Sequence, residues 1–226
     1  MFEQIQRANI ESGTQIIFNL GIKKSPSNLF KKYIPEINDD FFIINTQIPS
    51  TDVAGFTYKI IAKSCLPLER GGLNLKINYI SYLKFSKASF HNYLSEAFDK
   101  SEIEKIIGNV RVNQVYSYLE FLSCLRRLEE NFDNYLPNMV IIAGLQVLVH
   151  KESYLRDELA FECHRDVMKE FFSFISEKKV SLILDNSISN NNRPSVSYYY
   201  DVEFRQAAPN NKIFYNEVGY DFDLDL

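Results

Sequence analysis

The sequence predicts an α/β fold built on a mostly parallel sheet flanked by helices, and three observations carry that reading. The first is the stretch 41–85, FFIINTQIPSTDVAGFTYKIIAKSCLPLERGGLNLKINYISYLKF. An apolar run at 41–44 precedes a polar loop at 46–52. Val53, Phe56, Ile60, Ile61 and Cys65 then recur at helical spacing, and a second apolar run follows around 76–83. Strand, loop, helix and strand in that order make a βαβ unit, which ordinarily buries a parallel pair of strands under its crossover helix. The second observation is the nearly continuous apolar run 139–149, which reads as one central strand covered on both faces. The third is strict alternation of Val196, Tyr198, Tyr200, Val202 and Phe204. With 212–218 across Ala208, Pro209, Asn210 and Asn211, it reads as an antiparallel C-terminal β-hairpin at the sheet edge.

The remaining elements follow in order. Residues 1–24 read as a short N-terminal extension, with a helix at 2–10 and a strand at 15–20, ahead of a single domain at 25–226. Phe90, Tyr93, Leu94 and Phe98 predict a helix that Ile103, Ile106 and Ile107 continue after a break. A short strand at 109–115 precedes a helix with Leu122, Leu125, Leu128 and Phe132 on one face, a stripe better explained by core packing than by a partner zipper. A helix at 159–177 buries Val167, Met168, Phe171, Phe172 and Ile175 and feeds a strand at 181–184. The polar stretch 187–194 is a loop by composition, and the acidic ending DFDLDL reads as a tail.

Composition narrows the function classes. A net charge of −4 argues against a strong stand-alone nucleic-acid binder, because phosphate neutralisation dominates such affinity. Cys65, Cys124 and Cys163 are scattered and odd in number; each reads as a small core residue in a reducing compartment. The first residues lack a basic-then-apolar signal pattern and no apolar run approaches the length of a membrane span, so an intracellular protein with no membrane partner is expected.

The loop after the first strand is where nucleotide-binding α/β proteins hold phosphate. A P-loop needs glycines for backbone approach, a lysine for charge and a hydroxyl for magnesium. Residues 46–54, TQIPSTDVA, have no glycine and no lysine, and Asp52 would repel phosphate.

Five segments, taken in order, resemble eukaryotic recombinases of the RecA family and their paralogues. LPLERGGLN at 66–74 is similar to the family's connector between the P-loop helix and the next strand. SNLFKKYIPEINDDFFIIN at 27–45 resembles its lead-in, NVRVNQVYSYLEFLSCLRRLEENF at 109–132 the strand and helix before the Walker B strand, MVIIAGLQVLVH at 139–150 that strand itself, and VSLILDNSIS at 180–189 the next core strand. The resemblance covers residues 25–220 or so and implies a RecA-like core. It also implies degenerate nucleotide-site positions. Val53 stands apolar in the P-loop segment, Leu83 replaces the catalytic glutamate, Ala143 the magnesium-binding aspartate, and Ser187, beside Asn186, the glutamine that links nucleotide state to a DNA loop. Loss of all these together predicts a pseudo-ATPase with no cofactor, in which the old site has become packing surface.

Other chemistry is thinly supported. His91, His150 and His164 are far apart, and Cys163 and His164 are neighbours that do not face each other on a helix. Asp221, Asp223 and Asp225 alternate, which fits a solvated tail better than a calcium site. In the family two loops at the carboxyl edge of the sheet meet DNA; the matching stretches carry Lys151, Arg156 and Arg193. Glu152, Asp157 and Glu158 offset them, so solvated surface charge is the plainer account and DNA contact the functional one.

The resemblance is strongest to the small paralogue subunits of Shu-type complexes. It implies a nuclear, non-catalytic DNA-repair accessory protein acting in homologous recombination. Such a protein assembles with another recombinase paralogue, promotes or stabilises filaments of the recombinase, and reaches single-stranded or forked DNA through the complex. Two alternatives stand beside it. One is a structural pseudo-ATPase of a non-repair assembly, such as the RecA-like subcomplex of the Elongator tRNA-modification machinery. The other is an enzyme with a relocated nucleotide site, which thermal shift with ATP and magnesium would reveal.

Overall fold

A computed structural model describes residues 43–47, 53–67, 70–83, 85–152, 155, 157–185, 202–206, 211–215 and 218–221. The expected helix and strand within 1–24, the lead-in at 27–42 and the alternating residues 196–200 lie outside the described residues.

In chain order, β1 (Ile43–Gln47) leads through α1 (Val53–Cys65) to β2 (Ile77–Ser81). Helices α2 (Lys87–Ser95) and α3 (Lys100–Gly108) precede β3 (Val110–Gln114). Next come α4 (Tyr118–Glu130), the single turn α5 (Phe132–Tyr135) and β4 (Met139–Ala143). Helices α6 (Leu145–Lys151) and α7 (Glu158–Glu177) lead to β5 (Ser181–Asp185). The chain closes with β6 (Val202–Gln206), β7 (Asn211–Tyr215) and β8 (Val218–Asp221).

β2, β3, β4 and β5 form an all-parallel centre: Ile77 aligns with Val110 on one side and Met139 on the other, and Met139 with Ser181. The sheet continues through β1 and β6, both parallel, to β7 and β8, which pair antiparallel, giving the order β3-β2-β4-β5-β1-β6-β7-β8.

Side chains alternate across the central strands, so the core has two halves. Ile77, Tyr79, Met139, Ile141 and Ile183 pack under α1, α2 and α3. Ile80, Val140, Ile142, Leu182 and Leu184 pack under α4, α6 and α7. This two-sided cover explains why β2, β4 and β5 are buried at every position.

β1 and β2 are parallel, as the βαβ reading expects, with β5 and β4 lying between them, so the crossover spans two strands. Other expectations are corrected or refined. The run 139–149 is not one strand. Gly144 adopts φ +77, a conformation that ends the strand, and Leu145, Leu148 and Val149 then fall on one buried face of α6. Of the stripe expected along α4, Leu125, Leu128 and Phe132 are buried and Leu122 is only partly buried, while Phe121 and Cys124 complete the buried face. At the end of the chain, Asp221 belongs to β8 rather than to a tail.

The break between α2 and α3 has a clear cause. Asp99 accepts a hydrogen bond from the Glu102 backbone N–H while the Glu102 carboxylate accepts one from the Asp99 N–H, a reciprocal cap that starts a new helix. The LPLERGG connector likewise depends on close approach: a Cβ on Gly72 would lie 2.2 Å from the Leu66 carbonyl oxygen. Asn74 N–H donates to that same carbonyl at 2.7 Å.

Candidate functional site

Parallel strands bring their carboxyl ends to one edge, which is where ligands of open α/β sheets bind. Here that edge carries the ends of β1, β5, β4 and β2. One strand separates β1 from β4, so the carboxyl ends of these two strands stand about 10 Å apart, two strand spacings.

Gly144 turns the chain there, its N–H donating to the Asp185 carbonyl at 3.0 Å. A Cβ at 144 would come within 2.7 Å of Leu83 Cγ, so the leucine lies against the glycine backbone. The chain leaving β2 is pinned in that position. Tyr82 N–H donates to the Ala143 carbonyl at 3.0 Å, and the Ser81 hydroxyl donates to the Leu83 carbonyl. The Gln114 side chain donates to Ser81 O at 2.8 Å and accepts from Phe85 N–H at 3.2 Å.

Leu83 and Ala143, far apart in sequence, are thus brought to the same place. Ala143 is fully buried and offers no metal ligand. Val53 is the first residue of α1; Asp52 and Ser187 lie outside the described residues.

One polar group at this edge was missed in the sequence. Asp185, 1 % exposed, ends β5 and aligns with Ala143 on one side and Thr46 on the other. Its carboxylate accepts a hydrogen bond from the buried Thr57 hydroxyl of α1 at 2.9 Å. Burial pushes the nearby Tyr79 phenol up, and the charge of Asp185 pushes it further. The available signal was an aspartate closing an otherwise apolar strand in VSLILD.

Of the three cations, Lys151 ends α6 and is exposed; Arg156 and Arg193 lie outside the described residues. Lys151 Nζ sits 5.3 Å from the centre of the Tyr82 ring, a cation–π distance. The neighbouring Tyr82 hydroxyl raises the ammonium's pKa. Lys151 therefore stands beside the Leu83 segment.

His164 is buried, its Nδ1 2.8 Å from the Tyr118 hydroxyl, and burial pushes its pKa down to about 4. His91 is exposed, 3.3 Å from the Ser95 hydroxyl. Cys65 and Cys124 are buried thiols, whereas Cys163 is exposed rather than part of the core. Among the described residues no cluster of three or more His, Cys, Asp or Glu side chains could hold a metal ion, and no helix is long and apolar enough to cross a membrane.

No protein-family model matches the chain, and no curated protein sequence shows significant similarity to it.

Proposed function

We propose that this chain is a RecA-like core that keeps the scaffold of a recombinase ATPase without its catalytic parts. On this reading it serves homologous-recombination repair as a non-catalytic paralogue subunit in the nucleus. It assembles with a second paralogue and promotes or stabilises recombinase filaments on single-stranded DNA.

The observation that carries the reading is the packing of Leu83 on Gly144 beside the buried Ala143. In the resembling family, the first and last of these positions hold the catalytic glutamate and the magnesium-binding aspartate. Filling that corner with apolar contact fits a scaffold that assembles rather than hydrolyses. The strand arrangement supports the reading as well, since β1 and β4 end at one edge with one strand between them. On this reading Lys151, which lies over Tyr82, contacts DNA together with Arg156 and Arg193, its companions in the resemblance.

The test is a filament-lifetime measurement on recombinase-coated single-stranded DNA, using the complex in which this chain is isolated from its own cells. A several-fold slower recombinase loss, weakened by charge reversal at Lys151, Arg156 and Arg193, is the expected result. An unchanged lifetime would remove the proposal.

A further inference from the structure

On the face of the sheet beneath α4, a recess opens toward the amino ends of β2 and β3, away from the edge described above. Arg111 and Asn113 of β3, Asn78 of β2, Arg127, Cys124 and Leu128 of α4, its capping Asn131 and Tyr135 line an open recess of about 60 Å³. That is room for about four to six water-sized groups, or for one tetrahedral oxyanion.

The wall is positive and rich in donors. No carboxylate lines the cavity. Among the described residues neither Arg111 nor Arg127 forms a salt bridge, although Arg70, Arg126 and Arg165 all do. Both guanidiniums are positioned by contacts that leave N–H donors over. Arg127 spends its Nε on the Ser123 carbonyl at 3.3 Å. Arg111 lies 5.5 Å from the centre of the Tyr135 ring, which is fixed in turn by its hydroxyl donating to the Ile77 carbonyl at 2.9 Å. Asn78 is 3 % exposed and accepts from the Asn113 amide at 2.6 Å, so an ordered pair of amides completes the wall.

Both charges reach the same floor. Burial pushes the Cys124 thiol up, and Arg127 and then Arg111 oppose that rise. The carboxyl end of α4 works against an anion, but the Asn131 amide donates to one of its carbonyls, Arg127 O, at 3.0 Å. Two guanidiniums sharing a recess without a carboxylate repel each other, and an oxyanion between them would receive forked N–H donors from both.

We propose that this recess binds a phosphate monoester dianion, either inorganic phosphate or the terminal phosphate of a small molecule. A backbone phosphodiester continues on both sides and does not fit a recess roofed by a helix, whereas a terminal phosphate does. The proposal is independent of the repair reading, because it uses the opposite end of the strands.

The full chain is titrated with sodium phosphate against sodium chloride at constant ionic strength, following amide chemical shifts and the melting temperature. Saturable binding is expected, with shifts confined to β2, β3 and α4–α5 and with glycerol 3-phosphate competing. Arg127→Gln and Arg111→Gln each weaken it by roughly tenfold to a hundredfold, the worth of a charge-assisted contact, and Arg127→Lys by less. Both arginines are exposed, so the variants keep their fold in chloride; should Arg111→Gln unfold through loss of its Tyr135 contact, Arg127→Gln decides. Three results would overturn the proposal: a phosphate response no greater than that to chloride, binding that survives in the arginine variants, or displacement of phosphate by an oligonucleotide lacking terminal phosphates.

Discussion

Gly144 is the residue on which the candidate nucleotide edge turns. Its φ of +77 costs any other residue about 1 kcal/mol or more, and its missing side chain is the space into which Leu83 packs. Gly144→Ala is therefore expected to lower stability by about 1–3 kcal/mol in urea unfolding. Adding Leu83→Ala should recover the steric part and leave the backbone part, a coupling above about 0.5 kcal/mol in a double-mutant cycle. Strict additivity would mean that the two residues do not pack as described. At this scale the sequence was partly legible. Leu83 and Ala143 stood out because charged residues were expected at their positions, but Asp185 did not, since an apolar run draws attention away from the acid that ends it. Arg111 and Arg127 carried no signal at all, because they meet only when α4 settles on β3.

At the scale of elements, α4 and α7 share a buried polar contact, Tyr118 to His164. The folded His164 pKa, about 4, lies below the ordinary value of 6.5, because burial disfavours the charged ring. Between those values the unfolded chain binds the proton more readily. The contribution is thus complete above pH 6.5 and is lost as pH falls toward 4, amounting to about 3 kcal/mol at most. Urea unfolding at pH 7 and pH 4.5 should show that loss, and His164→Gln should flatten it; an equal pH dependence in the variant would assign the acid sensitivity elsewhere. Helix and strand type were legible wherever periodicity ran long, as in α1 and α7. The strand expected at 139–149 held only as far as Ala143, because a fully apolar run has no period to read, and a single glycine decided between continuing and turning. The insertion of β5 and β4 between β1 and β2 was not legible, because sequence order does not say which later strands will insert between two earlier ones.

For the whole molecule, the central feature is a parallel α/β scaffold whose candidate ligand edge is partly filled by its own apolar side chains. A protein of net charge −4 gains little from DNA by electrostatics alone. Any DNA contact must then come from a few placed cations such as Lys151, in an assembly that supplies the rest. Such a chain is expected to be found with partners. The most direct measurement is affinity purification of the tagged protein from its own cells followed by mass spectrometry. The account predicts that a second recombinase paralogue and the recombinase itself co-purify above background. Recovery of a different stable complex, such as a tRNA-modification assembly, with neither of these present would contradict the function while leaving the fold in place.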